Sequence, residues 1–272
     1  MIAFWSRGGS TDLVELIDSL IDASRIDPYL MELYGSPSHS DGWGYALYIH
    51  RDKGSLIHSK SLNPIYNTIE YTRLTGLARL IKDADYAIGF MHSRHASKNT
   101  PTGLLAVHPF YLVAADGSLV MVAHNGSVNT GKLLEALGRA PGYPEMYPDS
   151  YLAALYIASK PDDIPGAFRE LEDYAKTALN LAVLRLREPG QSYSEAELYV
   201  YTYLPPEYRD KSKYNAYYRM YLAMNRDVRA VVSSTVAERL EEQGWSIHDL
   251  SVNGDGLHVY YRDGRFKSSK IP

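Results

Sequence analysis

Strand-like runs and helical stretches come in groups along this chain, and that grouping narrows the fold class. A short apolar run at 2–5 precedes a helical pattern in which Leu13, Leu16, Ile17, Leu20 and Ile21 recur at helical spacing. That pattern is predicted to continue towards Tyr34, with a break at Pro28. Ser10 and Thr11 are expected to cap its start. The segment 43–50 leads into a strand, and Lys53-Gly54 turns into a second. The stretch 68–82 is predicted as a helix with Ile69, Leu74, Leu77, Leu80 and Ile81 on or near one face. A buried strand at 86–92 and an Asp-Gly hairpin within 110–124 follow. Helices are expected near 130–138, 149–159 and 165–178, strands near 179–187, 197–203, 217–224 and 229–233, then a helix at 235–243 and a hairpin turning at 253–256. Antiparallel hairpins with grouped helices favour an α+β layered domain over a doubly wound one. No repeat, low-complexity tract or linker interrupts the 272 residues, which read as a single domain.

Charge and composition exclude several functions. The net charge of -4 argues against nucleic acid as a partner. The basic stretch at 209–213 is short and reads as a solvated loop. No run has the apolar length of a membrane span, and no signal-peptide pattern opens the chain, so the expectation is a cytoplasmic protein. There is no cysteine, which removes disulfides, thiolate metal sites and thiol catalysis within these residues.

Two segments share a layout that points to chemistry. In 89–97 and 122–130 an apolar strand ends in His and then a polar group: His92 followed by Arg94, and His124 followed by Asn125-Gly126. Strand ends commonly present site residues from a rigid support. By itself Asn125-Gly126 is a hairpin-turn signal, Asp149 suits a helix N-cap, and Arg94 suits a surface ion pair.

Taken together, Asp41-Gly42-Trp43-Gly44, His92-Ser93-Arg94-His95-Ala96, His108-Pro109-Phe110, His124-Asn125-Gly126 and Pro148-Asp149-Ser150-Tyr151 occur in an order that resembles the class II glutamine amidotransferase domain, of the N-terminal-nucleophile (Ntn) hydrolases. The free-standing, single-domain members are the nearest likeness. Residues 230–260 also resemble that family's closing segment, so the likeness spans most of the chain. It implies a four-layer α/β/β/α sandwich of two mainly antiparallel sheets, cytoplasmic γ-glutamyl amide hydrolysis (glutaminase-type amidohydrolase chemistry), and no cofactor or metal. It also implies glutamine or another γ-glutamyl small molecule as ligand, with a synthase partner or a homo-oligomer.

The chemistry of the residues agrees with that likeness. Arg94 can hold an α-carboxylate through a two-pronged contact, and Asp149 can pair with an α-ammonium. The side-chain N–H of Asn125 and the backbone N–H of Gly126 can form an oxyanion hole, glycine allowing close backbone approach. His92, His124, Trp43 and Gly44 are assigned to the substrate pocket, with tight-turn packing the main role of the glycines around Trp43.

The family's nucleophile is an N-terminal cysteine whose own α-amine acts as base. This chain opens Met1-Ile2-Ala3-Phe4-Trp5. Three explanations follow: a natural start upstream, of the kind Met-Cys-Arg before Met1; a catalytically dead glutamine or γ-glutamyl-binding module; or cleavage exposing Ser6, Ser10 or Thr11. A rival from another class is a metal-dependent hydrolase using His39, Asp41, His92, His95, His108 and His124. The three-residue spacing of His92 and His95 on a strand end differs from helical zinc-protease spacing.

Overall fold

The computed structural model describes residues 1–8, 11–98, 100–138, 147–187 and 196–271. Two antiparallel sheets face each other, each with helices on its outer side. The first has seven strands: β1 (Ile2–Arg7), β2 (Trp43–Arg51), β3 (Lys53–Ser61), β4 (Tyr86–Ser93), β9 (Met220–Met224), β10 (Val228–Ser233) and β11 (Ser246–Asp249). Their spatial order is β11-β9-β10-β1-β4-β2-β3. The second has six: β5 (Phe110–Val113), β6 (Leu119–Val128), β7 (Ala175–Leu186), β8 (Ala196–Tyr203), β12 (Asn253–Arg262) and β13 (Arg265–Ile271), in the order β13-β12-β8-β7-β6-β5.

The central strands are buried on both faces, which explains why their sequences are apolar runs and not polar–apolar alternations. In β1, Ile2 and Phe4 point to the outer helices, while Ala3 and Trp5 point between the sheets. In β6, Val120 and Val122 face outward, and Met121 and Ala123 face inward. Small residues at the inner positions, Ala3, Ala46, Ala123 and Ala182, let the two sheets close on each other.

On the outer side of the first sheet lie α1 (Asp12–Arg25), α3 (Thr68–Lys82) and α9 (Ser234–Glu242). The Leu13–Leu16–Ile17–Leu20–Ile21 stripe of α1 is buried as its spacing predicts. Thr11 makes no side-chain cap there, and Ser10 lies outside the described residues. In α3 the buried stripe is Leu74, Leu77 and Ile81; Ile69 and Leu80 point to solvent instead of joining it. The second sheet is covered by α4 (Thr130–Ala136), α5 (Asp149–Ala158) and α6 (Ile164–Glu172). The result is the four-layer α/β/β/α sandwich expected from the sequence.

Three element assignments differ. The helix expected over 165–178 stops at Glu172, because Ala175 already pairs with Val128 in the β6–β7 ladder. Tyr217 and Tyr218 close a helix, α8 (Ser212–Tyr218), and do not open β9; the same helix and α7 (Pro206–Arg209) take up the ends of the basic stretch read as loop. The terminal hairpin turns at Asp263-Gly264, whereas Asn253 to Gly256 lie inside β12 at a bulge.

Candidate functional site

A cavity of about 80 Å³ opens where the ends of β1, β4 and β6 meet the start of α5. Met1, Arg94, Asn125, Gly126 and Asp149 all line it. These groups come from four places in the sequence, and the two opposed sheets bring them together.

Arg94 follows β4 and is almost fully buried. Its backbone is tied to the 35–42 loop: Arg94 N donates to Gly42 O at 2.8 Å, and Asp41 N donates to Arg94 O at 3.0 Å. The Asp41 carboxylate then accepts from Ala96 N at 2.7 Å. The guanidinium donates through Nη2 to Pro101 O at 3.0 Å and Thr100 Oγ1 at 3.5 Å. Nη1 is buried with no hydrogen-bond partner among the described residues. Burial pushes the guanidinium below its usual range, partly offset by Asp41 and Asp149. An unpartnered buried cation is costly, and a carboxylate in the cavity would satisfy it. The two-pronged contact expected from the sequence must share the Nη2 edge with the 100–101 loop.

Asp149 is the first residue of α5, with Pro148 in the capping position. Its Oδ2 accepts from Val128 N at 2.8 Å and its Oδ1 from Ser150 N at 2.9 Å. The carboxylate therefore ties the end of β6 to the helix start and also faces the cavity. The N-cap that the sequence places at Asp149 falls on Pro148, and Asp149 is the first residue of the helix.

Asn125 and Gly126 form no hairpin turn. They lie within β6, opposite Asn180 and Leu179, just before a bulge at Val128. Gly126 has φ 145°, and a Cβ there would stand 1.7 Å from the Ala178 carbonyl oxygen. Only glycine fits. His124 donates from Nε2 to the same Ala178 oxygen at 3.3 Å, which leaves Nδ1 to accept from Ser150 Oγ at 2.9 Å. Burial keeps this imidazole neutral, its pKa below the usual value. His124 thus links the Ala178 carbonyl to the Ser150 hydroxyl.

His92 and His108 lie face to face at a ring-centroid distance of 4.3 Å, tilted by 54°. Both line the cavity, and neither ring nitrogen of His108 has a partner among the described residues. Burial first drives both imidazoles well below their ordinary pKa; His108, the α-amine, His39 and Arg94 add to this for His92, and His124, Arg94 and Lys60 for His108.

Two residues assigned to the pocket from sequence do not line it. The Trp43 indole is buried in the helix-side core and stacks on Tyr45 at 5.7 Å. Gly44 acts indirectly, because a Cβ there would sit 2.2 Å from the His108 carbonyl oxygen. Its absence lets the His108 segment approach the strand.

Residue 1 itself reaches the cavity. The Met1 α-amine is buried and donates to Ser233 Oγ at 3.3 Å, and Ser233 N donates to Met1 O at 3.1 Å. Burial pulls the amine down to about 6, against the pull of Asp27. It is therefore largely neutral at pH 7. Ser6 lies at the other end of β1, wholly buried, with its hydroxyl bonded to local carbonyls. Thr11 lies in a groove between α1 and α3. Neither is near the cavity.

The sequence reading missed Asp27, Tyr217, Tyr218 and the 233–235 hydroxyl cluster, all of which line the cavity. Asp27 accepts from Tyr29 N and Leu30 N as the cap of α2 (Pro28–Tyr34), and also from Thr235 Oγ1 at 2.8 Å and His39 Nε2 at 2.9 Å. The available signal was Asp before Pro at a helix start, and three consecutive hydroxyls at a strand–helix junction. The metal rival has no support from geometry: among the described residues no three His, Asp or Glu side chains converge as metal ligands.

No family model matches the chain, and no curated protein does. Solved structures do match. The glutamine phosphoribosylpyrophosphate amidotransferase of B. subtilis, complexed with ADP and GMP, aligns over 100% of this chain and 49% of its own, at 18% identity and a TM-score of 0.58. The fold is that of the class II glutamine amidotransferase domain. A second structure, described as the allosteric regulatory enzyme of purine biosynthesis, aligns over 100% and 49% at 17% identity and a TM-score of 0.58. The chain thus spans about half the length of these amidotransferase structures. Among the described residues, no helix of this class II glutamine amidotransferase fold is long and apolar enough to cross a membrane.

Proposed function

We propose that the cavity binds the γ-glutamyl group of glutamine or a related amide. Arg94 takes the α-carboxylate, Asp149 the α-ammonium, and Asn125 with Gly126 the γ-carbonyl oxygen. The observation that carries this reading is the convergence of a buried, half-unpartnered guanidinium, a carboxylate and the Asn-Gly pair on one cavity of amino-acid scale. His92 and His108, held neutral, add no charge that would compete for the carboxylate. A neutral imidazole pair also leaves Arg94 and Asp149 as the cation and anion offered to an amino acid, because the Asp27 carboxylate is already engaged by Thr235, His39 and the α2 backbone.

Amide hydrolysis needs a nucleophile beside the oxyanion donors. Residue 1 lines the same cavity, and here it carries a thioether, which has no ionisable proton and forms no acyl-enzyme. The 272 residues supply no thiol elsewhere. The chain in hand therefore binds the ligand without turnover, while a cysteine at residue 1 would complete the site. Its thiol would attack the carbonyl carbon of the γ-amide, the proton passing to the neutral α-amine and then to the nitrogen that departs as ammonia or amine when the C–N bond breaks, leaving a γ-glutamyl thioester. Water would then release glutamate. A synthase that uses the ammonia, or a second copy of the chain, belongs to the same reading.

Calorimetry with glutamine tests the binding step. The Arg94→Ala and Asp149→Asn variants should each lose at least about thirtyfold in affinity, the scale of breaking a buried charge pair. Met1→Cys with a processed N-terminus should release ammonia and glutamate from glutamine, and a Met-Cys-Arg extension ahead of Met1 should not, because that places the thiol two residues away. Unchanged affinity in both charge variants would sink the assignment.

A further inference from the structure

The inner cavity does not end at the glutamyl-binding groups. Past Gly126 and Asp149 it opens into a vestibule of about 940 Å³, against about 80 Å³ inside. The two share Tyr34, Ser97, Thr100, Gly126, Pro148 and Asp149 as a common rim.

The charge of the vestibule wall is one-sided. Lys98 and Lys176 face it from opposite segments, the loop after β4 and the start of β7, and neither has an ion-pair partner among the described residues. The sole described acid on this wall is Asp149, which the glutamyl ammonium would neutralise. On the same wall Ser127 Oγ and Thr177 Oγ1, 2.9 Å apart, add a pair of hydroxyls. Val128, Leu134 and Leu152 supply an apolar floor. Two cations and two hydroxyls around an apolar floor suit a short aliphatic group that ends in an anion.

We propose that the ligand of this site is an anionic γ-glutamyl amide of the γ-glutamyl dipeptide kind, whose second residue lies in the vestibule with its carboxylates towards Lys98 and Lys176. This rests on the γ-glutamyl reading of the inner cavity. It assigns Lys98 and Lys176 to specificity and leaves the γ-glutamyl contacts to Arg94 and Asp149. The lysines are exposed and screened by salt, so each contributes a modest preference.

The test is titration calorimetry of the full chain with three probes: glutamine, γ-glutamyl-glutamate and γ-glutamyl-lysine. γ-Glutamyl-glutamate should bind about tenfold more tightly than γ-glutamyl-lysine, equivalent to about 1.4 kcal/mol, and the gap should shrink as salt rises. In the Lys98→Ala, Lys176→Ala double variant the two dipeptides should bind alike, with glutamine affinity unchanged. Equal affinities of the parent chain for the two dipeptides, with glutamine still bound, would overturn the vestibule assignment alone. Failure of all three probes to bind would overturn the inner-cavity reading and this one with it. A double variant that loses glutamine as well would place the lysines in the γ-glutamyl contact and refute their separate role.

Discussion

Gly126 shows how one position can be constrained from two sides. Its φ of 145° and the 1.7 Å approach of the Ala178 oxygen rule out any Cβ without backbone movement. Gly126→Ala should cost at least about 3 kcal/mol in urea unfolding. Gly131→Ala, whose new methyl would meet its nearest neighbour at 3.6 Å inside α4, should be neutral or stabilising. Equal effects from the two would refute the packing account. The sequence announced Gly126 as special and mistook the reason at first reading, since Asn-Gly signals a hairpin wherever it separates apolar runs. Only the motif order pointed to a site. Arg94 was legible in the same way. Its partners Thr100 and Pro101 were not, because a loop carbonyl that turns back onto a guanidinium leaves no mark in residue type. Trp43 reads mainly as a packed indole at a tight strand entry, and its burial in the helix-side core agrees; only the secondary, pocket-shaping role is not found.

At the scale of elements, the site depends on two loops stitched to each other. The 35–42 loop and the 94–97 turn exchange Arg94 N to Gly42 O, Asp41 N to Arg94 O, and Ala96 N to the Asp41 carboxylate. The last is charge-assisted and holds the turn that carries Arg94. Asp41→Ala should cost about 1.5–3 kcal/mol in stability and weaken glutamine binding through misplacement of the guanidinium; Asp41→Asn should recover most of both. Paired urea melts and calorimetry would show it, and full affinity in the alanine variant would contradict it. Elements with a strong pattern, the helical stripe of α1 and the continuous apolar run of β4, could be read from the sequence because their burial is regular. Boundaries could not. Residues 175–178 pair with β6 although they continue a helical pattern, and the Asn253–Gly256 turn signal is absorbed into a bulged β12. In both cases a long-range ladder outweighs local preference, and ladder partners more than 40 residues away leave no local trace.

The molecule as a whole buries several weak bases between and beside its sheets. The Met1 amine lies at about 6 against its ordinary 8.0, and His92 and His108 lie well below 6.5. The unfolded chain takes up protons that the folded chain refuses, so stability is complete above the unfolded values and declines as pH falls. The amine acts between pH 8 and 6 and the imidazoles below 6.5. Each costs at most about 1.4 kcal/mol per pH unit. Asp27, Glu70 and Glu197, held below their usual range mainly by hydrogen bonds and ion pairs that outweigh burial, add their losses only in more acidic solution. Urea unfolding from pH 8 to 5 should therefore show a steady fall, and a flat profile would mean that the histidines are solvated.

The first strand sits in mid-sheet, between β10 and β4, with Ile2 registered against Val232 on one side and Met91 on the other. Residue 1 is thereby clamped, with its carbonyl and amine both bonded to Ser233. An affinity tag or a leader scar placed ahead of Met1 would begin at the ligand cavity. Purification handles therefore belong at the other terminus, where Arg265–Ile271 forms the sheet's edge.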